Sequence, residues 1–258
     1  MIEIKNLCAG YEGVEKLHHI TMRCKKGEIT ALIGPNGSGK STLLKTVSAL
    51  LPHISGEVFL AGENLAQIPQ RKLAQTLAYL PQSRNIPEIT VRRMVLHGRF
   101  PYLGYPRKYR AEDYAAADAA MAQTDILNNA ALRMHTLSGG ERQKVYLAMA
   151  IAQDTPIVLL DEPTTYLDIQ HQLGVLQLMQ TLKAAGKTVV VVLHDINLAL
   201  QCADTVAVLE NGCLVASGAP ESIAGSGVLD RVFHVQTEIC TSQSGTPRYF
   251  FNLQGEKK

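Results

Sequence analysis

Ile29-Thr30-Ala31-Leu32-Ile33-Gly34-Pro35-Asn36-Gly37-Ser38-Gly39-Lys40-Ser41-Thr42 is the stretch on which the fold turns. Ile29 to Ile33 is a short apolar run bounded by glycines, as a buried strand is, and the helix-like KSTLLKTVSALL starts at Lys40. Between them Gly34 to Ser41 satisfies GxxxxGK[ST], the phosphate-loop pattern, in the strand, loop and helix setting that its mechanism needs. Glycines let the backbone wrap closely so that N–H groups face a β-phosphate, and the helix N-terminus adds partial positive charge. In such a loop Lys40 bridges the β- and γ-phosphates and Ser41 ligates Mg²⁺. A Gly/Ser-rich loop capping an ordinary helix is the plain alternative. The placement after a buried strand favours nucleotide binding, with Gly34, Pro35, Asn36, Gly37, Ser38, Gly39, Lys40, Ser41 and Thr42 against the ligand.

Outward from this stretch the chain alternates. Ile2 to Leu7 and Leu17 to Arg23 show partial apolar alternation and are split by Gly10 and Gly13, which predicts antiparallel strands. Glu57 to Leu60 and Leu77 to Leu80 are further strand candidates, whereas Thr90 to Asn129 has helical spacing and almost no strand signal. From Pro156 the pattern runs strand (IVLL), helix (Ile169 to Ala184), strand (TVVVVL) and helix (Ile196 to Cys202), the alternation that builds a parallel sheet. Thr205 to Leu209 and Cys213 to Ala216 flank Asn211-Gly212, a strong hairpin signal because a type I′ turn needs positive φ at both central residues. A small antiparallel end follows. The fold class is therefore α/β: a phosphate-loop core with a mixed, largely parallel sheet, an N-terminal antiparallel β subdomain and an inserted helical lobe. The organisation expected is one domain over 1–258 with the lobe at about 88–153.

Two further stretches carry chemistry. Ile157 to Leu160 leads into Asp161 and Glu162, so an apolar strand delivers two carboxylates to the C-terminal edge of a parallel sheet, where such folds bind ligands. Adjacent acids alternate in direction: Asp161 would face Mg²⁺ through water, and Glu162 would act as general base on the attacking water. Leu137-Ser138-Gly139-Gly140-Glu141 precedes the helix-forming RQKVYLAMAIAQ. Ser138 and Glu141 fit a capping box, which alone accounts for both. It does not ask for Gly139 and Gly140, which cost about 1 kcal/mol each in helix propensity. Their presence suggests close approach of a ligand, and a chain with one phosphate loop then receives at this helix start the γ-phosphate held by another subunit.

The phosphate loop, LSGGE and LLDEP, in this order, resemble the ATP-binding cassette (ABC) ATPase family over nearly the whole chain. The resemblance implies roles for four more residues. Tyr11 matches the aromatic that stacks on adenine, and Gln82 in LPQ the glutamine that senses Mg²⁺ and the membrane partner. Asp168 in YLD matches the dimer-crossing loop, and His194 in LHD the γ-phosphate switch histidine. Plain readings stand beside these: Tyr11 as a strand-edge aromatic, Gln82 as a polar strand terminus. A catalytic set of Glu162, His194, Gln82 and Lys40 results, with Ser41, Gln82 and Asp161 near the metal. A single cassette without fused membrane helices resembles importer subunits. Within these, GRFPYLG (Gly98 to Gly104), PTTYLDIQHQ (Pro163 to Gln172) and the tail VFHVQTEIC…SGTPRYF resemble ferric-siderophore uptake ATPases, with haem and cobalamin importers close behind. Thr165-Tyr166-Leu167-Asp168 departs from the family's usual SALD wording.

The implied partners are ATP and Mg²⁺, a second copy in a head-to-tail dimer, a membrane permease and, indirectly, a solute-binding protein. The implied location is cytoplasmic, beneath a membrane. Export remains open as the alternative to import. Composition bounds the rest. A net charge of +2 from 25 basic and 23 acidic residues is too even for a protein whose main partner is nucleic acid. No long heptad stretch marks a chromosome-organising cassette, and no second cassette marks a translation factor. Five scattered cysteines without a CxxC pair suggest neither disulfides nor zinc. The longest apolar stretches, such as Thr188 to Leu193, fall far short of the roughly 20 residues that span a bilayer. Disorder is expected at most in the tail Gln254 to Lys258.

Overall fold

Partial alternation at the N-terminus becomes two long antiparallel strands, β1 (Ile2–Tyr11) and β2 (Val14–Cys24), in a computed structural model that describes residues 1–82, 86–165, 167–241 and 247–253. Tyr166 and the tail from Gln254 lie outside the described residues. The residues group into two compact units, Met1–Leu65 with Val190–Lys258, and Ala66–Val189.

In the first unit β1 pairs with β2 at Ile2↔Cys24 and Ile4↔Met22, and with β4 (His53–Leu60) on its other side. The register shifts after Ile4, where Asn6 takes a left-handed backbone. That irregularity explains why the sequence shows only broken alternation. Between β2 and β4 lie β3 (Ile29–Ile33), whose five residues are all buried, and α1 (Lys40–Val47). The helix is shorter than KSTLLKTVSALL suggests. Ala49 is left-handed, and both Leu50 and Leu51 N–H turn back to the Lys45 carbonyl, so the chain leaves the helix. A two-residue strand, β5 (Glu63–Asn64), closes this antiparallel sheet in the order β2-β1-β4-β5.

The second unit holds α2 (Gln70–Thr76), β6 (Leu77–Leu80), α3 (Val91–Leu96), a 3₁₀ turn at His97–Tyr102, α4 (Ala111–Gln123), α5 (Gly139–Ala152), β7 (Ile157–Asp161) and α6 (Ile169–Ala184). Strand β6 runs parallel to β7, from Leu77↔Ile157 to Leu80↔Leu160. Thr90 caps α3, its hydroxyl accepting from Arg93 N–H. Helices α3, α4 and α5 pack together over buried Val91, Val95, Ala117, Ala120, Met121, Val145 and Ala148. Alanines at the contact let the helices approach closely. Helical spacing over Thr90 to Asn129 is thus realised as helices and 3₁₀ turns, without a strand.

The boundary between the units falls within β8 (Thr188–Val192), and the chain returns to the first unit through α7 (Ile196–Cys202), β9 (Thr205–Glu210) and β10 (Cys213–Gly218). Strand β9 runs parallel to β3, from Thr30↔Thr205 to Ile33↔Val208, and antiparallel to β10. Asn211 at φ 47° and Gly212 at φ 78° make the positive-φ hairpin that the dipeptide demands. Two short helices, α8 (Pro220–Gly225) and α9 (Val228–Phe233), lead to the antiparallel end expected, β11 (Val235–Thr241) against β12 (Pro247–Leu253). Among the described residues no helix is long and apolar enough to cross a membrane.

The start of β3 is clamped by one residue: Asp204 Oδ2 accepts from Ile29 N–H at 2.9 Å while Asp204 N–H donates to the Ile29 carbonyl at 2.9 Å. Replacing the carboxylate leaves a backbone donor at the head of a wholly buried strand without its charged acceptor. Asp204→Ala should therefore cost about 2 kcal/mol of unfolding free energy. Urea denaturation checks this, and a midpoint equal to that of the parent would show that the clamp carries no stability.

Candidate functional site

Strand β3 delivers the phosphate loop directly onto α1. Gly34 stands at φ 154°, and a Cβ there would lie 2.1 Å from the Leu209 carbonyl oxygen, so only glycine lets the loop leave β3 against β9. At the helix start Gly39 is the N-cap and has no side chain to satisfy the first turn. N–H groups there are directed at whatever anion the loop encloses. Lys40, 5% exposed, folds back over the loop, and its Nζ donates to the Gly34 carbonyl at 2.8 Å, the Pro35 carbonyl at 2.9 Å and Ser38 Oγ at 3.4 Å. Ser38 and Thr42 are buried with it, and Ser41 is half-buried. An ammonium held over the loop, inside a ring of backbone dipoles, is a charge-assisted donor of the kind that suits an anion.

The same unit carries Tyr11 and His194. Tyr11 ends β1, partly exposed, with Lys45 Nζ of α1 5.9 Å from its ring centroid. An aromatic face is thus presented beside the phosphate-loop helix. Leu193 N–H donates to the Leu32 carbonyl at 3.2 Å, so exposed His194 emerges next to the end of β3, from which the loop departs. Asp195 then caps α7, accepting from Leu198 N–H at 3.2 Å.

In the second unit β7 ends in the two acids, and they do face different partners. Asp161, 1% exposed, accepts at Oδ2 from the Tyr79 hydroxyl at 3.1 Å. Glu162, 9% exposed, takes a left-handed backbone at φ 51°. A non-glycine residue held there costs of order 1 kcal/mol and persists only where its surroundings enforce it. Two side chains converge on one of its oxygens: Gln82 Nε2 at 2.5 Å and Thr165 Oγ1 at 3.2 Å both donate to Oε2. The carboxylate is thereby oriented.

The LSGGE segment realises its capping box. Glu141 N–H donates to Ser138 Oγ at 3.2 Å and Ser138 N–H to Glu141 Oε2 at 2.8 Å. Ser138's N–H, followed by its hydroxyl, holds the Glu141 carboxyl below the ordinary carboxylate range. The glycines behave otherwise. A Cβ at Gly139 would meet nothing within 4 Å, and one at Gly140 would make only ordinary contact with Leu167 and His171 at 3.7–3.8 Å. Neither position is set by the packing around it. Asp168 caps α6, accepting at Oδ1 from His171 N–H at 2.9 Å and His171 Nδ1 at 2.7 Å. These bonds, the backbone one foremost, hold its carboxyl low.

Three residues of the site escape a reading of the sequence. Tyr79 and Thr165 hold the two acids, and Gln143 of α5 donates to the Pro163 carbonyl at 2.8 Å, tying the LSGGE helix to the turn after Glu162. Tyr79 lies opposite Leu159 in the register of β6 on β7, two residues before Asp161; strand pairing, once known, would have pointed to it.

Comparison with known proteins gives the family. Residues 17–165 match the model of the family described as ABC transporter. The achromobactin transport ATP-binding protein CbrD of Dickeya dadantii is 40% identical over 92% of this chain and 89% of its own length. The ferric enterobactin transport ATP-binding protein FepC of Escherichia coli is 39% identical over 94% of this chain and 91% of its own. The dimeric structure of MJ0796, a bacterial ABC transporter cassette, superposes with a TM-score of 0.76 at 29% identity, covering 85% of this chain and 99% of that one. The family match over residues 17–165, with relatives 39–40% identical over most of the chain, makes this chain a member of the ABC transporter family.

Proposed function

We propose that this chain is the ATP-hydrolysing subunit of an importer for ferric siderophores or a related iron chelate, driving a separate membrane permease as one of two copies. The observation that carries the nucleotide reading is the burial of the Lys40 ammonium on the oxygens of its own loop, within a glycine turn that opens on an uncapped helix start. The β- and γ-phosphates of ATP offer that ammonium stronger, charged acceptors than the neutral oxygens of the loop. Similarity to an enterobactin and an achromobactin transport protein supports the chelate class.

Hydrolysis needs a base fixed against a water. Glu162 fits this role because Gln82 and Thr165 hold its carboxylate in place at the end of β7, to accept the proton as the water oxygen attacks phosphorus and the bond to the β-phosphate oxygen breaks. His194 donates to the γ-phosphate, and Tyr11 stacks on adenine. Ser41, Asp161 and Gln82 present hydroxyl, carboxylate and amide oxygens, the hard donors that suit Mg²⁺. That ion would neutralise charge on the phosphates. Location beneath a membrane follows from the permease.

The second copy enters through Ser138, Gly139 and Gly140. Open space at Gly139 and slack contact at Gly140 support a role set from outside the protomer, a backbone that the partner's γ-phosphate approaches closely. The dimeric MJ0796 cassette, at 29% identity, supports pairing of two copies, and Asp168 at the start of α6 would cross the same interface. Copurification with a many-helix permease, followed by uptake assays with ferric chelates, haem and cobalamin, tests the whole reading. Transport of another solute class would refute the chelate assignment.

Lys40→Ala should weaken Mg-ATP binding by at least about tenfold, since a charge-assisted contact worth more than 1.4 kcal/mol is removed; unchanged nucleotide titration and turnover would exclude its role. Glu162→Gln should slow turnover by about 10²-fold or more while ATP still binds. Sedimentation in saturating Mg-ATP should then show a dimer, and a persistent monomer counts against the shared interface. His194→Ala should lower kcat more than nucleotide affinity, because a γ-phosphate donor acts most strongly in the transition state. Equal losses in both quantities contradict that assignment.

A further inference from the structure

Residues 98–110, GRFPYLGYPRKYR, hold four basic residues, four aromatics and no acid, in a chain whose 25 basic and 23 acidic residues nearly balance. The first half of this segment is pinned. Arg99 donates to Asp113 Oδ1 at 3.1 Å and to the Ala152 carbonyl at 2.9 Å, with its guanidinium 4.2 Å from the Tyr102 ring centroid. The Tyr102 hydroxyl donates to the Gln153 carbonyl at 2.8 Å. Arg71 Nε and Gln75 Nε2 both donate to the Pro101 carbonyl, and Arg71 Nη2 reaches that of Leu103.

The second half stands in water. Tyr105 is fully exposed, and Arg107, Lys108 and Arg110 are exposed around it. Phe100, 47% exposed, lies under the Arg107 guanidinium at 4.8 Å, and Tyr109 meets Tyr114 edge-on at 6.3 Å. Glu112 approaches Arg110 at 3.6 Å, but both side chains are about 70% exposed and such a pair neutralises little. A rigid base thus holds out a tip in which cations and amphipathic rings alternate.

We propose that this tip, Tyr105 to Arg110 with Phe100 and Tyr114, rests on the anionic headgroup layer of a membrane. This deepens, and rests on, the reading that the chain works beneath a membrane permease. Tyrosine favours the membrane–water interface, where ring and hydroxyl meet different media. Lysine and arginine are drawn to an anionic leaflet, each cation strengthening attachment roughly fivefold. Tyr105 discriminates between occupants. A ring with its whole surface in water has no wall beside it for an acidic peptide to lie against, whereas a fluid headgroup layer closes around it. Pinning by Arg71, Gln75, Arg99 and Tyr102 means that little ordering is needed on contact.

Cosedimentation of the full chain with phosphatidylglycerol-rich or pure phosphatidylcholine vesicles tests the proposal. The parent should bind the anionic vesicles, weaken as salt shortens the screening length, and leave the zwitterionic ones free. Combining Arg107→Glu, Lys108→Glu and Arg110→Glu should reduce binding by about 100-fold or more, and Tyr105→Ser should reduce it further, with ATPase activity retained. No binding by the parent, equal binding to both vesicles, or equal binding by parent and variant overturns the proposal. Unchanged vesicle binding with loss of permease copurification would place a protein on the tip instead, and also overturns it. Absence of ATPase activity in the parent would strike the proposed function while leaving the vesicle result to stand.

Discussion

Complete burial of β3 is the constraint on which the rest depends. A strand with five buried residues must have each backbone group paired, and here β9 runs along it, Asp204 clamps its start and Leu193 N–H binds near its end. Its C-terminus is therefore fixed, and Gly34 turns off it against the Leu209 carbonyl. The loop, the start of α1 and the turn carrying His194 all inherit their positions from this one strand. Apolar burial supplies the stability, and the polar edge that the strand delivers is where the glycine loop and Lys40 gather.

The acid pair shows the same division of labour on a smaller scale. Pairing with β6 sets β7, and β7 sends Asp161 and Glu162 to different partners. Glu162 is held in a left-handed backbone that costs energy, and Gln82 and Thr165 fix the side chain that results. Order in one carboxylate is thus secured by strain in the backbone and hydrogen bonds at its tip.

Much of this was legible in the residues because local rules acted alone. Ile29 to Ile33, Leu77 to Leu80 and Ile169 to Ala184 are found at the bounds that apolar runs and periodicity suggest. Asn211-Gly212 turns as its chemistry requires. Where long-range pairing intervened, the sequence said less: β1 and β2 extend well past their alternating cores through bulges, and α1 stops at Val47 despite a helical continuation. Phosphate-loop residues were readable because motif and setting coincide. Tyr79, Thr165 and Gln143 were not, since each contributes through a contact that only pairing and packing create.

Gly139 and Gly140 bring the demands of folding and of assembly into opposition. Alanine fits beside both and would strengthen α5 by up to about 1 kcal/mol at each position. If the partner's nucleotide needs that bare backbone, the sturdier chain is the poorer motor. Such a subunit would still fold and pair with normal copies, so in a mixed population the lesion would behave as dominant: one altered copy disables a joint that belongs to two.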